Sequence, residues 1–261
     1  MVASIVDAVL EQAPPSEVAG LYFKGSARKR WDSPVDYVPE TSDVDIHVLF
    51  SDDACAARRL GTMESALQVQ GRIETGYQAR VPSPLHTPRP QLMILNDLLR
   101  DPEYSPSPPG TVTTLHGATY PDATYDEARE RSLARMRLLS HSDVVGGLPL
   151  RAVDKPGRYQ LSILRDLAWR VSPSGPRLLT ILGLPSPRAW QLNRTEIIGA
   201  LEESGQRDMA KAYRDFYLFA WAYFLSAYAD SEAARSAVAA GAEVLELGAA
   251  AAGAPSEAEK V

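Results

Sequence analysis

The sequence predicts an α+β protein in which a small sheet domain, residues 1–120, precedes a helical bundle, residues 121–248, and a flexible tail, residues 249–261. Two apolar runs in the first part, at 18–24 and 43–50, have the length and residue types of strands. In the second part, apolar residues recur at steps of three and four, which is the spacing of one face of a helix. The change between these two patterns is the basis for dividing the chain.

The first domain is expected to begin with a short helix over residues 4–13, which two prolines end. After the second strand, Ser51 can cap a helix that runs to about residue 70. The buried face of this helix is expected to carry Ala57, Leu60, Met63 and Leu67. The alternation of strand and helix indicates a layered sheet domain.

Prolines change the character of the chain between residues 82 and 109, where eight of the 20 prolines lie. They flank one strand-like run at 91–95, and prolines on both sides favour an edge or boundary strand over a disordered linker. Residues 111–116 are expected to form a further strand. The domain boundary is then expected near residues 117–122.

The second domain is predicted to be helical throughout. Residues 124–127 fit a capping box for its first helix, and a later helix is expected to end at residues 172–173, Ser-Pro. The clearest helix spans residues 207–229, and its aromatic stripe is interpreted as core rather than as a ligand site. A final alanine-rich helix is expected over residues 231–247, before the tail.

The stretch that points to a function lies between residues 20 and 50. Side chains alternate between the two faces of a strand, so Asp43, Asp45 and His47 share one face and apolar neighbours take the other. Two carboxylates on one face repel each other unless a cation lies between them, and pairs of hard oxygen ligands suit Mg²⁺. His47 is interpreted as a structural or supporting residue.

Gly25 and Ser26 follow the first strand and supply the complementary part of such a site. A glycine allows the backbone to approach an anion closely, and amides that turn out of a strand can form an anion-binding nest. Metal and phosphate sites on adjacent strand ends favour phosphoryl or nucleotidyl transfer. The alternative is a polar strand face that happens to carry two aspartates.

The combination Phe23-Lys24-Gly25-Ser26, followed by Ser42-Asp43-Val44-Asp45-Ile46, resembles the DNA polymerase β-like nucleotidyltransferase superfamily. It is most similar to small bacterial members such as the kanamycin and lincosamide nucleotidyltransferases, over about the first third of the chain. The resemblance implies a mixed sheet of the polymerase β palm type with a helical bundle behind it. It also implies Mg²⁺ or Mn²⁺ as cofactor and a nucleoside triphosphate, ATP above all, as donor.

Site residues are carried over position by position. The resemblance implies that Asp43 and Asp45 are the catalytic metal ligands and that Gly25 and Ser26 bind the triphosphate. Further candidates for nucleotide binding are Lys24, Ser42, the usual flanking serine, and Arg28 of the basic cluster beside the site. The loop from residue 27 to 42 holds 16 residues, more than small family members usually need, and is expected to be an ordered insertion that borders the substrate site.

One part of the family pattern is missing. The superfamily usually adds a third carboxylate on a following strand, whereas here Gln91 is the nearest equivalent by position and Asp97 is the nearest acid. A glutamine can ligate a metal through its carbonyl oxygen but cannot accept a proton. Either Glu127 or Asp166 of the helical domain supplies a base, or none is needed, or the protein binds nucleotide without efficient turnover.

The composition of the chain limits the classes of protein to which it can belong. A net charge of −6 with 45% hydrophobic residues is ordinary for a soluble globular protein and argues against indiscriminate binding to nucleic acid. The single cysteine, Cys55, excludes an internal disulfide framework and fits a reducing cytoplasm. The N-terminus has no basic region of the signal-peptide type, and no apolar run is long enough to span a bilayer.

The acceptor stays open at this point. A small molecule, an antibiotic or metabolite hydroxyl, is favoured, with pyrophosphate as the second product. The alternatives are an RNA- or tRNA-directed enzyme of the toxin type, a protein-modifying enzyme, and a nucleotide-binding module without catalysis. Only the basic cluster of Lys24, Arg28, Lys29 and Arg30 hints at RNA.

Overall fold

The computed structural model describes residues 1–108, 110–122 and 125–254. The chain is α+β and mostly helical, with one four-stranded sheet formed by β1 (Val18–Lys24), β2 (Asp43–Phe50), β3 (Arg89–Ile94) and β4 (Thr113–Gly117). The α-helices in the described residues are α1 (Val2–Gln12), α2 (Ala54–Leu60), α3 (Met63–Arg80), α4 (Leu95–Arg100), α5 (Glu127–Leu139), α6 (His141–Val153), α7 (Gln160–Ile181), α8 (Ser186–Gln191), α9 (Arg194–Glu203), α10 (Arg207–Leu225) and α11 (Ser231–Gly253).

The sheet is mixed and has the strand order β3-β2-β1-β4. β1 pairs antiparallel with β2 on one side and with β4 on the other, whereas β2 and β3 are parallel. A parallel pair needs a crossover connection, and α2 and α3 supply it. The two leading strands have the predicted bounds, and β3 and β4 lie within two residues of the predicted runs.

One face of the sheet is buried under helices. Val44, Ile46 and Val48 of β2 join α1 and α3 in a single apolar cluster. Because side chains alternate along β2, Asp43, Asp45 and His47 take the opposite face, as predicted. The sequence therefore determines which face of the sheet carries the polar side chains.

The chain divides into two compact units with an unexpected boundary. The first contains Met1–Lys29 and Ser42–Ala123, and the second contains Arg30–Thr41 and Thr124–Val261. The predicted first domain, residues 1–120, included the excursion of residues 30–41, which instead packs with the helices. The chain therefore leaves the sheet unit directly after the turn that carries Ser26 and returns to it directly before Asp43.

The excursion is held by buried polar contacts. The Asp36 carboxylate accepts hydrogen bonds from the backbone nitrogens of Asp32 (2.8 Å), Ser33 (3.0 Å) and Thr195 (3.0 Å), and from the Thr195 hydroxyl (2.8 Å). Arg194 donates to the Val35 carbonyl oxygen at 3.0 Å. The insertion is thus ordered, and its predicted place beside the substrate stays a prediction.

Helix prediction failed at the break between α2 and α3. The single helix expected up to about residue 70 is interrupted at Gly61, and Thr62 caps α3 by accepting from the Ser65 backbone nitrogen at 3.1 Å. Met63 and Leu67, expected on the buried face, are 75% and 59% exposed. The face that packs on α1 is formed instead by residues further along, Val69, Ile73 and Tyr77.

The helix expected to end at Pro173 continues to Ile181 as α7. Pro176 has no N–H to offer the Ser172 carbonyl oxygen four residues earlier, and the Tyr213 hydroxyl donates to that oxygen instead, at 3.0 Å. The aromatic stripe of α10, to which Tyr213 belongs, is buried as predicted. Packing against α10 therefore overrides the local proline signal.

The predicted tail also begins too early. α11 continues to Gly253, with Ala249 and Ala252 buried and the Ala252 carbonyl oxygen accepting from Arg135 at 3.0 Å. Residues 255–261, the rest of the predicted tail, lie outside the described residues. Within residues 1–108, 110–122 and 125–254, no helix has both the length and the apolar character needed to cross a membrane.

Candidate functional site

Three strands align polar side chains on the open face of the sheet. Asp45 in the middle of the row lies opposite Lys24 of β1 and opposite Gln91 of β3. Two residues earlier on β2, Asp43 lies opposite Arg89. Residues in register on paired strands share a face, so the two aspartates, one glutamine and two cations form one group.

Asp43 forms an ion pair with an arginine that no sequence pattern indicated. Arg89 forms a two-pronged ion pair with it, in which Nε donates to Oδ1 at 2.5 Å and Nη2 donates to Oδ2. Both side chains are largely withdrawn from solvent, with 14% of Asp43 and 31% of Arg89 exposed. The only sequence signal was that Arg89 precedes Gln91 by two positions in the proline-flanked strand.

Gln91 bridges the two carboxylates. With its amide nitrogen turned toward them, the side chain donates to Asp45 Oδ1 and to Asp43 Oδ2, each at 3.0 Å. This is the position at which the resemblance calls for a third carboxylate. The amide therefore connects the aspartates and adds no negative charge.

Gly25 packs directly against the Asp45 carboxylate. Its φ of +82° lies in the region that favours glycine, and a β-carbon there would come within 1.8 Å of Asp45 Oδ2. Only glycine can therefore hold this backbone against the Asp45 carboxylate. A 3₁₀ turn, Ser26–Arg28, follows directly and carries Ser26 away from the end of β1.

Charge and burial shift two pKa values in the row. Burial lowers the pKa of Lys24, while the Asp45 charge opposes that shift. His47 is fully buried, and burial followed by the Lys24 charge lowers its pKa to about 3, so its ring is neutral at pH 7. The open face thus changes from charged to uncharged between Asp45 and His47.

Tyrosines cover the uncharged end. His47 Nδ1 lies 3.0 Å from the Tyr120 hydroxyl, which in turn lies 2.7 Å from the Tyr104 hydroxyl. Tyr120 also packs edge-on against Tyr22, with ring centroids 5.0 Å apart. His47 is therefore a buried supporting residue, as predicted, whereas Tyr104 and Tyr120 belong to no periodic run in the sequence.

The remaining predicted nucleotide-binding residues divide between the two sides of β1. Ser42 is buried at the start of β2, directly before Asp43. Arg28 donates through Nε to the Thr113 hydroxyl at 2.7 Å, and Thr113 belongs to β4 on the far side of β1 from β2. The contact of Arg28 therefore ties it to β4.

The other acids considered as bases are bound elsewhere. Asp97 is exposed on α4 and pairs with Arg100. In the helical unit, Asp166 pairs with Arg151 (2.8 Å) and Arg170 (2.5 Å), and Glu127 accepts from the Ser186 backbone nitrogen at 3.3 Å. Each of these carboxylates has a partner within its own unit.

No group of three or more His, Cys, Asp or Glu side chains that could hold a metal ion occurs in the part of the chain that the structure describes. The candidate ligand set is the two aspartates with the Gln91 amide. Comparison with protein-family models, with curated proteins and with solved structures found no match.

Proposed function

We propose that this protein is a Mg²⁺-dependent nucleotidyltransferase of the DNA polymerase β-like superfamily, which transfers a nucleoside monophosphate from a nucleoside triphosphate to a hydroxyl group. The observation that carries the proposal is the contact between Gly25 and Asp45. This contact brings together the Gly-Ser and the Asp-x-Asp parts of the sequence motif. The backbone that would bind phosphate thus lies beside a carboxylate that would bind the metal ion.

The ligand set fits one hard divalent cation. Asp43 and Asp45 would contribute carboxylate oxygens, and Gln91, whose amide nitrogen lies 3.0 Å from both, would supply its carbonyl oxygen as a third by turning the amide over. Mg²⁺ is commonly held by one or two carboxylates while waters and substrate phosphates complete the octahedron. When bound, the ion supplies charge neutralisation at the triphosphate and at the departing pyrophosphate.

The chain's own residues would bind and orient the donor. The amides around Gly25 and Ser26 are suited to the β- and γ-phosphates, because they turn out of β1 beside Asp45. Lys24 adds a positive charge in the same row. We assign no general base, since Gln91 cannot accept a proton and Asp97 is paired with Arg100.

A small-molecule acceptor fits best. In the basic cluster that hinted at RNA, Arg30 is paired with Asp32 at 2.7 Å and Arg28 is bound to the Thr113 hydroxyl. The net charge of −6 also disfavours a polyanionic acceptor. ATP remains the expected donor on family resemblance, and the single cysteine favours a reducing cytoplasm as the compartment.

The test uses α-labelled ATP, CTP, GTP and UTP with Mg²⁺ or Mn²⁺ and a fractionated cell extract. We expect label in the small-molecule fraction, its loss in Asp45→Asn, and its retention in the matched control Asp97→Asn, whose side chain is 62% exposed. Circular dichroism would verify that both variants fold. Undiminished transfer by Asp45→Asn would refute the metal assignment, and label in RNA or protein would reassign the acceptor.

A second candidate is a nucleotide-binding module without turnover. It is favoured by two observations, the Arg89 ion pair on Asp43 and the amide at position 91. Together with Lys24, Arg89 balances the two aspartate charges without any metal. The test is the affinity for a fluorescent ATP analogue with and without Mg²⁺. The same affinity in both conditions, in the native protein and in Arg89→Gln, would support this candidate. Tighter Mg²⁺-dependent binding in Arg89→Gln would support the enzyme.

A further inference from the structure

An exposed tryptophan in the excursion of residues 30–41 stacks on a buried tyrosine. The rings of Trp31 and Tyr37 are nearly parallel, with centroids 4.7 Å apart and an angle of 19° between their planes. Tyr37 is 8% exposed, whereas Trp31 is 56% exposed. Because Tyr37 covers one face of the indole, the exposed surface of Trp31 includes the opposite face. The pair therefore presents one aromatic face to solvent, with a second ring behind it.

The residues on both sides of Trp31 are bound to the start of α9. Asn193, the N-cap of that helix, donates through its side-chain nitrogen to the Arg30 carbonyl oxygen at 3.1 Å and to the Asp32 carboxylate at 2.7 Å. The Asp32 backbone nitrogen donates in turn to the Asp36 carboxylate at 2.8 Å. The backbone that carries the indole is thus fixed before any ligand binds. A ring that is already ordered loses little conformational entropy on binding.

An exposed cation directly precedes this tryptophan in the chain. The Arg30 side chain is 77% exposed, its Nη2 atom donates to Asp32 Oδ2 at 2.8 Å, and its Nε atom lies 2.7 Å from Oδ1. A guanidinium carries five N–H groups, so donors remain for a ligand after this ion pair has formed. Donors of this kind suit the ring nitrogens, carbonyl oxygens and phosphate groups of nucleotides.

We propose that Trp31 is a stacking platform for the nucleobase of a nucleoside or nucleotide ligand, with Arg30 donating hydrogen bonds to the polar groups of that ligand. Every base has a π face, so stacking on an aromatic side chain accepts any of them. A base on the exposed face of the indole would extend the existing pair to a stack of three rings. All of these residues belong to the helical unit, so the proposal does not depend on the metal site of the sheet unit.

Exposure alone does not distinguish such a platform, since single apolar side chains are often exposed. Trp169 on α7 is 57% exposed, and among the described residues no aromatic ring packs against it. The chain therefore contains a tryptophan of nearly equal exposure that lacks a ring behind it. Trp169 is the matched control for Trp31.

The test labels the full chain with fluorotryptophan, which gives one ¹⁹F signal for each of the four tryptophans. Trp31→Phe and Trp169→Phe assign two of these signals. The probe is adenosine, which has no phosphate that could bind at the sheet unit, and ribose is the control without a base. We expect adenosine to shift the Trp31 signal, with saturation in the millimolar range, and to leave the Trp169 signal in place. Ribose should shift neither signal.

The affinity for adenosine is measured on the ligand, from the upfield shift of the adenine protons over an indole ring. We expect Trp31→Ala to weaken binding about tenfold, Trp31→Phe to weaken it less, and Trp169→Ala to leave it unchanged. Circular dichroism would verify that the variants fold. Absence of a Trp31 shift, equal shifts of the Trp31 and Trp169 signals, or the same affinity in Trp31→Ala as in Trp169→Ala would overturn the proposal.

Discussion

Gln91 lies directly opposite Asp45 in the parallel pairing of β2 and β3, and its amide is 3.0 Å from a carboxylate oxygen of both Asp45 and Asp43. The amide occupies the place where a third carboxylate would make three negative charges adjacent. By donating to both aspartates it holds them together in the absence of a cation. Because position 91 is an amide, the site has two carboxylates. A site for two metal ions needs more charged ligands than that.

Replacing Gln91 by Glu should therefore change metal affinity and stability in opposite directions. A third carboxylate adds a charged oxygen ligand, so we expect Mn²⁺ to bind about tenfold more tightly. Without metal, repulsion among three carboxylates should lower the melting temperature, and Mg²⁺ should restore it. Paramagnetic resonance of Mn²⁺ and thermal unfolding measure the two effects.

Gln68→Glu is the matched control for this change. Gln68 is exposed on α3, so the substitution adds the same charge away from the aspartates. Its metal affinity and melting temperature should remain those of the native protein. Equal Mn²⁺ affinity in Gln91→Glu and Gln68→Glu would show that position 91 does not contact the ion.

Gly25→Ala should cost more than the backbone strain alone. A non-glycine residue at positive φ costs about 1–2 kcal/mol, and here the new β-carbon must also displace the Asp45 carboxylate. We expect the free energy of unfolding to fall by about 2–4 kcal/mol, with loss of Mg²⁺-dependent nucleotide binding. Urea denaturation and a binding titration measure the two losses.

Gly110→Ala separates the two causes. Gly110 has a nearly identical φ of +81°, but a β-carbon there meets no atom of the described residues within 4 Å. We expect this variant to lose only about 1 kcal/mol and to keep nucleotide binding. If both variants behave alike, the contact between Gly25 and Asp45 has no separate effect.

Acid should destabilise the protein through His141. Its folded-state pKa of about 4 is below the unfolded value of 6.5, so below about pH 6.5 the unfolded chain binds more protons. The free energy of unfolding should therefore fall as the pH decreases from 6.5 to 4, by up to about 1.4 kcal/mol per pH unit from this residue. Urea denaturation at several pH values, in buffer without phosphate, measures the slope.

His141→Gln should remove that part of the slope, because glutamine does not titrate and can occupy a similar volume. The control is His116→Gln on β4, whose side chain is partly exposed, and the acid slope should persist in it. An unchanged slope in His141→Gln would contradict the assignment.

Asp36→Ala tests the attachment of residues 30–41. Four donors lose their acceptor in a buried location, so we expect the free energy of unfolding to fall by about 2–4 kcal/mol. Glu203→Ala, at the exposed end of α9, should change it by no more than about 0.5 kcal/mol. A small effect of Asp36→Ala would mean that the excursion is held mainly by its apolar side chains.

The candidate site was predictable from the sequence in part. Strand alternation was enough to align Asp43, Asp45 and His47, because the period of two needs only local geometry. The family resemblance also pointed to Gln91, as the nearest equivalent by position of the usual third carboxylate. Arg89 was missed, because an arginine between prolines gives no signal until the register of β3 on β2 is known.

By itself, the sequence determined the α+β class, the two leading strands, the buried aromatic face of α10 and the polar face of β2. These are periodic features, and each is decided by burial of one face of one element. Only the tertiary structure decided that residues 30–41 join the helices, that α7 continues through its prolines, and that Arg89 neutralises Asp43. In each case, the deciding partner lies far away along the chain: Thr195 for Asp36, Tyr213 for the Ser172 carbonyl oxygen, and Arg89 for Asp43. Contacts of that range leave no trace in local spacing, because they depend on how separate elements pack.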